Sequence, residues 1–71
     1  MKIKVYTNQN VLFRELSDFS EFKVLLEKTE KLHSFLSSTY YLDLENNYGK
    51  FGFIDSTGSY KDGGTLELIY D

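Results

Sequence analysis

The sequence predicts an α+β fold, a small two-layer sandwich in which one amphipathic helix packs on an antiparallel sheet of four or five strands, in the order β(β)αβββ. Three observations carry this. Only the stretch from Asp18 to Leu36 has apolar residues at a helical spacing, the other apolar residues alternate with polar ones at period two, and clusters of Asn, Gly, Ser and Asp separate the runs.

Lys2 to Thr7 alternates, with Ile3 and Val5 on one face and Lys2, Lys4 and Tyr6 on the other, as in a strand with one side toward solvent. Thr7-Asn8-Gln9-Asn10 interrupts it, and Val11 to Leu16 reads as a second strand folded back on the first. Asp18 and Glu21 then form a capping-box start, one carboxylate accepting free N–H groups and both lying near the positive helix end. Phe19, Phe22, Leu25, Leu26, Thr29, Leu32, His33 and Leu36 fall on one stripe, the face a sheet would cover. Glu27 and Lys31 sit at the favourable i,i+4 spacing. No Gly closes the helix, so Ser37, Ser38 and Thr39 are expected to fray before Tyr40.

From Tyr40 the period is two. Tyr40, Leu42 and Leu44 share one face, and Tyr41, Asp43 and Glu45 the other. Asn46-Asn47-Tyr48-Gly49 is a hairpin turn, with Lys50 to Asp55 as the return strand. Two turn signals follow, Ser56-Thr57-Gly58-Ser59 and Asp62-Gly63-Gly64, and Thr65 to Tyr70 is the last strand. The whole of residues 1–71 reads as a single domain.

Composition narrows the function classes. There is no Cys, hence no disulfide scaffold, thiolate metal site or thiol nucleophile. No apolar run reaches the roughly 18 residues of a membrane span, so no membrane association and a cytoplasmic location are expected. Residues 1–35 hold six basic and five acidic side chains, whereas residues 36–71 hold Lys50 and Lys61 against six acids. This acidic half argues against a grip on nucleic-acid phosphates and suits a basic protein partner. Ala, Pro, Cys and Trp are absent while Phe, Tyr, Asn, Ile and Lys abound, the bias of A/T-rich codons, pointing to a low-GC bacterium, its phages or mobile elements.

Motifs that carry chemistry are incomplete. Asp55, Thr57 and Ser59 match the opening oxygen ligands of a calcium loop, but Tyr60 stands where Gly is needed and Leu66 where the bidentate Glu belongs. Gly58 to Thr65 approaches a phosphate-binding loop with Gly64 in place of its Lys, and a strand follows it. His33 is the single imidazole, with no nucleophile elbow to serve. Catalytic residues, metal ligands and cofactors are therefore not assigned, and the chain is expected not to be an enzyme.

One helix can cover one face of a sheet. The other is expected to carry Lys2, Lys4, Ile54 and the candidate binding residues Tyr6, Tyr41, Asp43, Glu45, Glu67 and Ile69, whose aromatic and acidic mixture suits binding a basic protein, as in an inhibitor, immunity or anti-defence protein. Val24 and Phe35, opposite the main helix stripe, form an alternative protein contact. A homodimer through the open face or a free strand edge is a further expectation. Lys50-Phe51-Gly52-Phe53-Ile54 resembles the first RNA-binding motif of cold-shock domains, K-G-F-G-F-I, with the first Lys-Gly pair reversed as Gly49-Lys50. The resemblance spans Asn46 to Ile54 and implies single-stranded nucleic-acid binding by stacking on Phe51 and Phe53, with Tyr48 and Tyr60 nearby. It requires both Phe rings to face solvent, whereas Phe at i and i+2 of a strand equally reads as a pair sharing the apolar face and filling the core.

Overall fold

Alternation in the N-terminal segment and helical periodicity after Asp18 produce the expected order. The computed structural model describes residues 1–70, with strands β1 (Lys2–Thr7) and β2 (Leu12–Leu16), helix α1 (Phe19–Leu32), and strands β3 (Ser37–Asp43), β4 (Tyr48–Ile54) and β5 (Tyr60–Ile69). The sheet is five-stranded and antiparallel in the order β2-β1-β5-β4-β3. Residues 11–16 are thus a strand, save for Val11, and the C-terminal meander joins the N-terminal hairpin by placing β5 beside β1.

Asp18 is the helix N-cap, accepting the Glu21 N–H at 3.0 Å, while the Glu21 carboxylate accepts the Ser17 N–H at 3.0 Å. The helix is shorter than its apolar stripe. His33 leaves helical geometry at φ −129°, ψ 78°, and its N–H closes the last turn on the Thr29 carbonyl. Pairing with β4 then claims Ser37–Thr39 for β3, and the Ser38 hydroxyl donates to Glu30 at 2.6 Å. The expected fraying segment is therefore strand. Leu32 and His33, placed on the core stripe by spacing, lie exposed because the helix ends beside them.

Ile3, Val5, Leu16, Phe22, Leu26, Phe51, Leu66 and Leu68 form the core, with Phe19, Leu42 and Phe53 packed against it. Phe22 anchors the helix to the sheet, its ring edge-on to Tyr40 and Phe51 at centroid distances of 5.9 and 5.5 Å. Cross-strand partners share a face, so the row Val5–Leu66–Gly49–Leu42 runs under the helix.

Asp62-Gly63-Gly64 is not a turn. It is a bulge within β5, where the register shifts opposite Phe51 and Gly52. Gly64 has φ 142°, and a Cβ there would collide with the Tyr6 carbonyl oxygen, so only Gly fits. The true reversal is the Asp55–Ser59 loop. Its Asp55 carboxylate accepts the Thr57 and Ser59 N–H groups at 2.9 and 3.0 Å and the Thr57 hydroxyl at 2.6 Å. That carboxylate organises its own loop, the structural use of the partial calcium motif.

Candidate protein-binding surface

Parity along each strand decides which side chains reach the face away from the helix. On β4, Gly49 and Phe51 are buried on the helix side and Phe53 packs against the core, so Tyr48, Lys50, Gly52 and Ile54 point the other way. Register then extends two rows across the open face: Leu12–Tyr6–Thr65–Lys50–Tyr41 and Glu15–Lys4–Glu67–Tyr48–Asp43. Ile54 and Tyr60 form a third pair. Tyr6, Tyr41, Tyr48 and Tyr60 therefore share this face, with Tyr41 63%, Tyr48 42% and Tyr60 50% exposed.

The tyrosines shape its relief. The Tyr60 ring lies where a Cβ on Gly52 would project, so the missing side chain is the seat of the ring. Tyr41, Tyr48, Lys50 and Tyr60 line a shallow hollow of about 300 Å³. A second hollow of about 410 Å³ is lined by Tyr6, Asn47, Tyr48, Thr65 and Glu67. Tyr48 belongs to both and divides them.

Of the expected binding residues, Tyr6, Tyr41, Asp43, Glu67 and Ile69 take their places on the open face. Glu45 lies beyond the end of β3, in the turn to β4. The acids do not form one cluster: Tyr48 separates Glu67 from Asp43, which stand two strand spacings, about 10 Å, apart. Lys2, Lys4 and Lys50 share the face, with Lys4 flanked by Glu15 and Glu67 in its row. The unmatched acids are at the β3 end. Asp43 accepts the Asn46 N–H at 3.2 Å and the Asn46 side-chain amide at 2.8 Å, and those bonds, the side-chain one foremost, hold its carboxyl below the ordinary aspartate range.

The aromatic set of the cold-shock likeness does not converge. Phe51 is buried and meets Phe22 edge-on under the helix, and Phe53 packs against it at 6.4 Å, while Tyr48 and Tyr60 occupy the opposite face. Core packing claims both Phe rings because they lie on the helix side of β4, an interior strand between β5 and β3, and a base cannot stack on Phe51 as it lies. Val24 and Phe35 are both exposed but do not form a joint patch. Val24 sits among Arg14, Glu21 and Lys28, whereas Phe35 lies beyond the helix end against His33, more than about 12 Å along the axis from Val24.

An apolar cleft of about 250 Å³ opens on the helix side between Phe13, Leu25, Leu26 and Phe53. The Thr29 hydroxyl on its wall donates to the Leu25 carbonyl at 3.1 Å. Among the described residues no group of three or more His, Cys, Asp or Glu could hold a metal ion, and no helix is long and apolar enough to cross a membrane.

Spacing alone could have placed Tyr48 and Lys50 on the open face, since both lie at even separation from Ile54. The turn-forming Asn46 and Asn47 drew Tyr48 into the turn, and two flanking turn signals isolated Tyr60. Compared with known proteins, the chain matches no family model, no curated protein and no solved structure.

Proposed function

We propose that this chain is a non-enzymatic protein-interaction module that engages another protein through its open sheet face. The observation that supports it most is the presentation of Tyr6, Tyr41, Tyr48 and Tyr60 on one side of the sheet, among Lys, Asp, Glu, Asn and Thr. Tyrosine gives a large, rigid contact with a polar tip at low cost in side-chain entropy, and small polar neighbours supply adaptable hydrogen bonds. The two hollows beside Tyr48 offer relief for protruding side chains. The partner that fits brings a basic group to the β3 end, where Asp43 has Tyr48 as its row neighbour and Glu45 lies in the adjoining turn, and apolar or neutral groups to the hollows. The finer reading, a cytoplasmic inhibitor, immunity or anti-defence protein of a low-GC bacterium or phage, draws its support from the A/T-rich-codon composition.

The test is site-specific photo-crosslinking in cells. A photoreactive phenylalanine analogue at Tyr41 or Tyr60 should yield one discrete protein adduct, and the same analogue at Val24 or Phe35 should not. Adducts from the helix positions alone would move the interface to the other side of the molecule, and adducts from neither pair would remove the proposal.

A further inference from the structure

The two free edges of the sheet are built differently. β2 has five residues and a register shift opposite Val5 and Tyr6, and its Arg14, paired with Val5, projects a charge onto the helix side. A bulge and an inward charge are two devices by which proteins blunt an edge against further pairing. β3 has neither. Its seven residues, Ser37–Asp43, run in unbroken register along β4, without Pro, Lys, Arg or bulge, and Thr39, Tyr40 and Tyr41 are strand-favouring.

We propose that a second copy of this chain adds to the β3 edge, antiparallel about a two-fold axis at Tyr40, giving a continuous ten-stranded sheet; the proposal does not depend on the tyrosine-face reading. The sequence of β3 is self-complementary in that register. Tyr40 meets Tyr40 of the second copy, Tyr41 meets Thr39, Leu42 meets Ser38, and Asp43 meets Ser37, so the one charged residue of the strand faces a hydroxyl and never its like. Thr39 and Tyr41 lie on the open face and Tyr40 on the helix face, so every pair joins residues of the same face. Such parity is required of a two-fold axis perpendicular to a sheet.

Two exposures support this occupant. Tyr40 faces the core and touches Phe19 edge-on at 5.5 Å, yet is 43% exposed along the free edge. Leu44, on the same parity one residue past β3, is 62% exposed, and continuing the register sets it opposite the half-buried Leu36 of the second copy. A chain of this size buries a modest share of its surface, so covering these groups adds where one core adds least.

The experiment measures solution mass against concentration, from micromolar to millimolar, for the wild type and two double variants. The wild type should rise toward twice the 8.3 kDa of one chain. Thr39→Lys/Tyr41→Lys places like charges opposite one another at both symmetric positions and should weaken association by about tenfold or more. Thr39→Lys/Tyr41→Glu replaces them with opposite charges and should restore it. A wild type that keeps the mass of one chain throughout, a Lys/Lys variant that assembles as well as the wild type, or a Lys/Glu variant that fails with it would each overturn the proposal. Amide exchange of the unmodified chain gives a reading free of folding effects: protection of β3 should increase with concentration, and unchanged protection would also overturn it.

Discussion

Phe51→Ala and Tyr48→Ala alter the same strand three residues apart and on opposite faces, so their difference tests which face of β4 is the core. Phe51 is 8% exposed, with its ring against Phe22 at 5.5 Å and Phe53 at 6.4 Å. Truncating such a ring costs about 3–5 kcal/mol, of which each well-placed aromatic contact supplies about 0.5–1.5. Chains of this length have a total stability of roughly 4–10 kcal/mol, so Phe51→Ala should remove a third or more of it. Tyr48 loses cross-strand contacts with Glu67 and Asp43, worth about 0.2–1 kcal/mol each. Urea unfolding at 25 °C with a shared slope should therefore show Phe51→Ala at least about 1 kcal/mol less stable than Tyr48→Ala. Equal losses, or a larger loss at Tyr48, would refute the assignment of faces and return Phe51 to the candidates for base stacking.

Further outcomes follow from the same geometry. Gly64→Ala should be strongly destabilising, about 2 kcal/mol or more, because its backbone is left-handed and its Cβ meets the Tyr6 carbonyl, whereas Gly58→Ala, with open space around it, should cost only its positive-φ strain of about 1 kcal/mol; thermal unfolding of both variants measures the difference. Asp18→Ala should cost about 1 kcal/mol through loss of the Glu21 N–H acceptor at the N-cap, read by urea unfolding, and Asp18→Asn less, since an amide oxygen can still accept. Asp18, Asp43 and Asp55 all have carboxyls held below their ordinary value of 3.8, chiefly by hydrogen bonds from Ser20, Asn46 and Thr57 respectively. Their folded values lie below the unfolded ones, so the stability they add is present above about pH 4 and is lost as pH falls through the folded values. An acid titration followed by circular dichroism should show this loss below about pH 4, reduced in the triple Asp→Asn variant.

Much of the scaffold was legible because single-residue patterns determined it. Ile3 and Val5 against Lys2 and Lys4 identified both faces of β1, and Asp18 with Glu21 marked the helix start through bonds that form locally. What escaped was decided by distant partners. Whether Asp62-Gly63-Gly64 turns or bulges depends on the strand beside it, and pairing with Phe51 and Gly52 keeps it within β5. The helix end at Leu32 reflects β4 recruiting Ser37–Thr39, which no local cap announces. Half of the candidate surface was visible for the same reason. Tyr6 and Tyr41 lie inside clean alternations, whereas Tyr48 and Tyr60 adjoin turns and join the surface only once register aligns them. The charge balance misled in a related way: the C-terminal half is acidic in sequence, but pairing of β1 with β5 sets Lys2 and Lys4, which alternation already placed on the open face, opposite Ile69 and Glu67 of that half.

The central claim, that the tyrosine-bearing face binds a protein, is tested most directly by affinity capture from a low-GC bacterial lysate, with and without nuclease. The wild type is compared with Tyr41→Ala/Tyr48→Ala/Tyr60→Ala and with Val24→Ala/Phe35→Ala. A stoichiometric, nuclease-resistant protein retained by the wild type and the helix variant and lost by the tyrosine variant is the predicted result. Retention by the tyrosine variant, or recovery of nucleic acid alone that disappears on nuclease treatment, would contradict it.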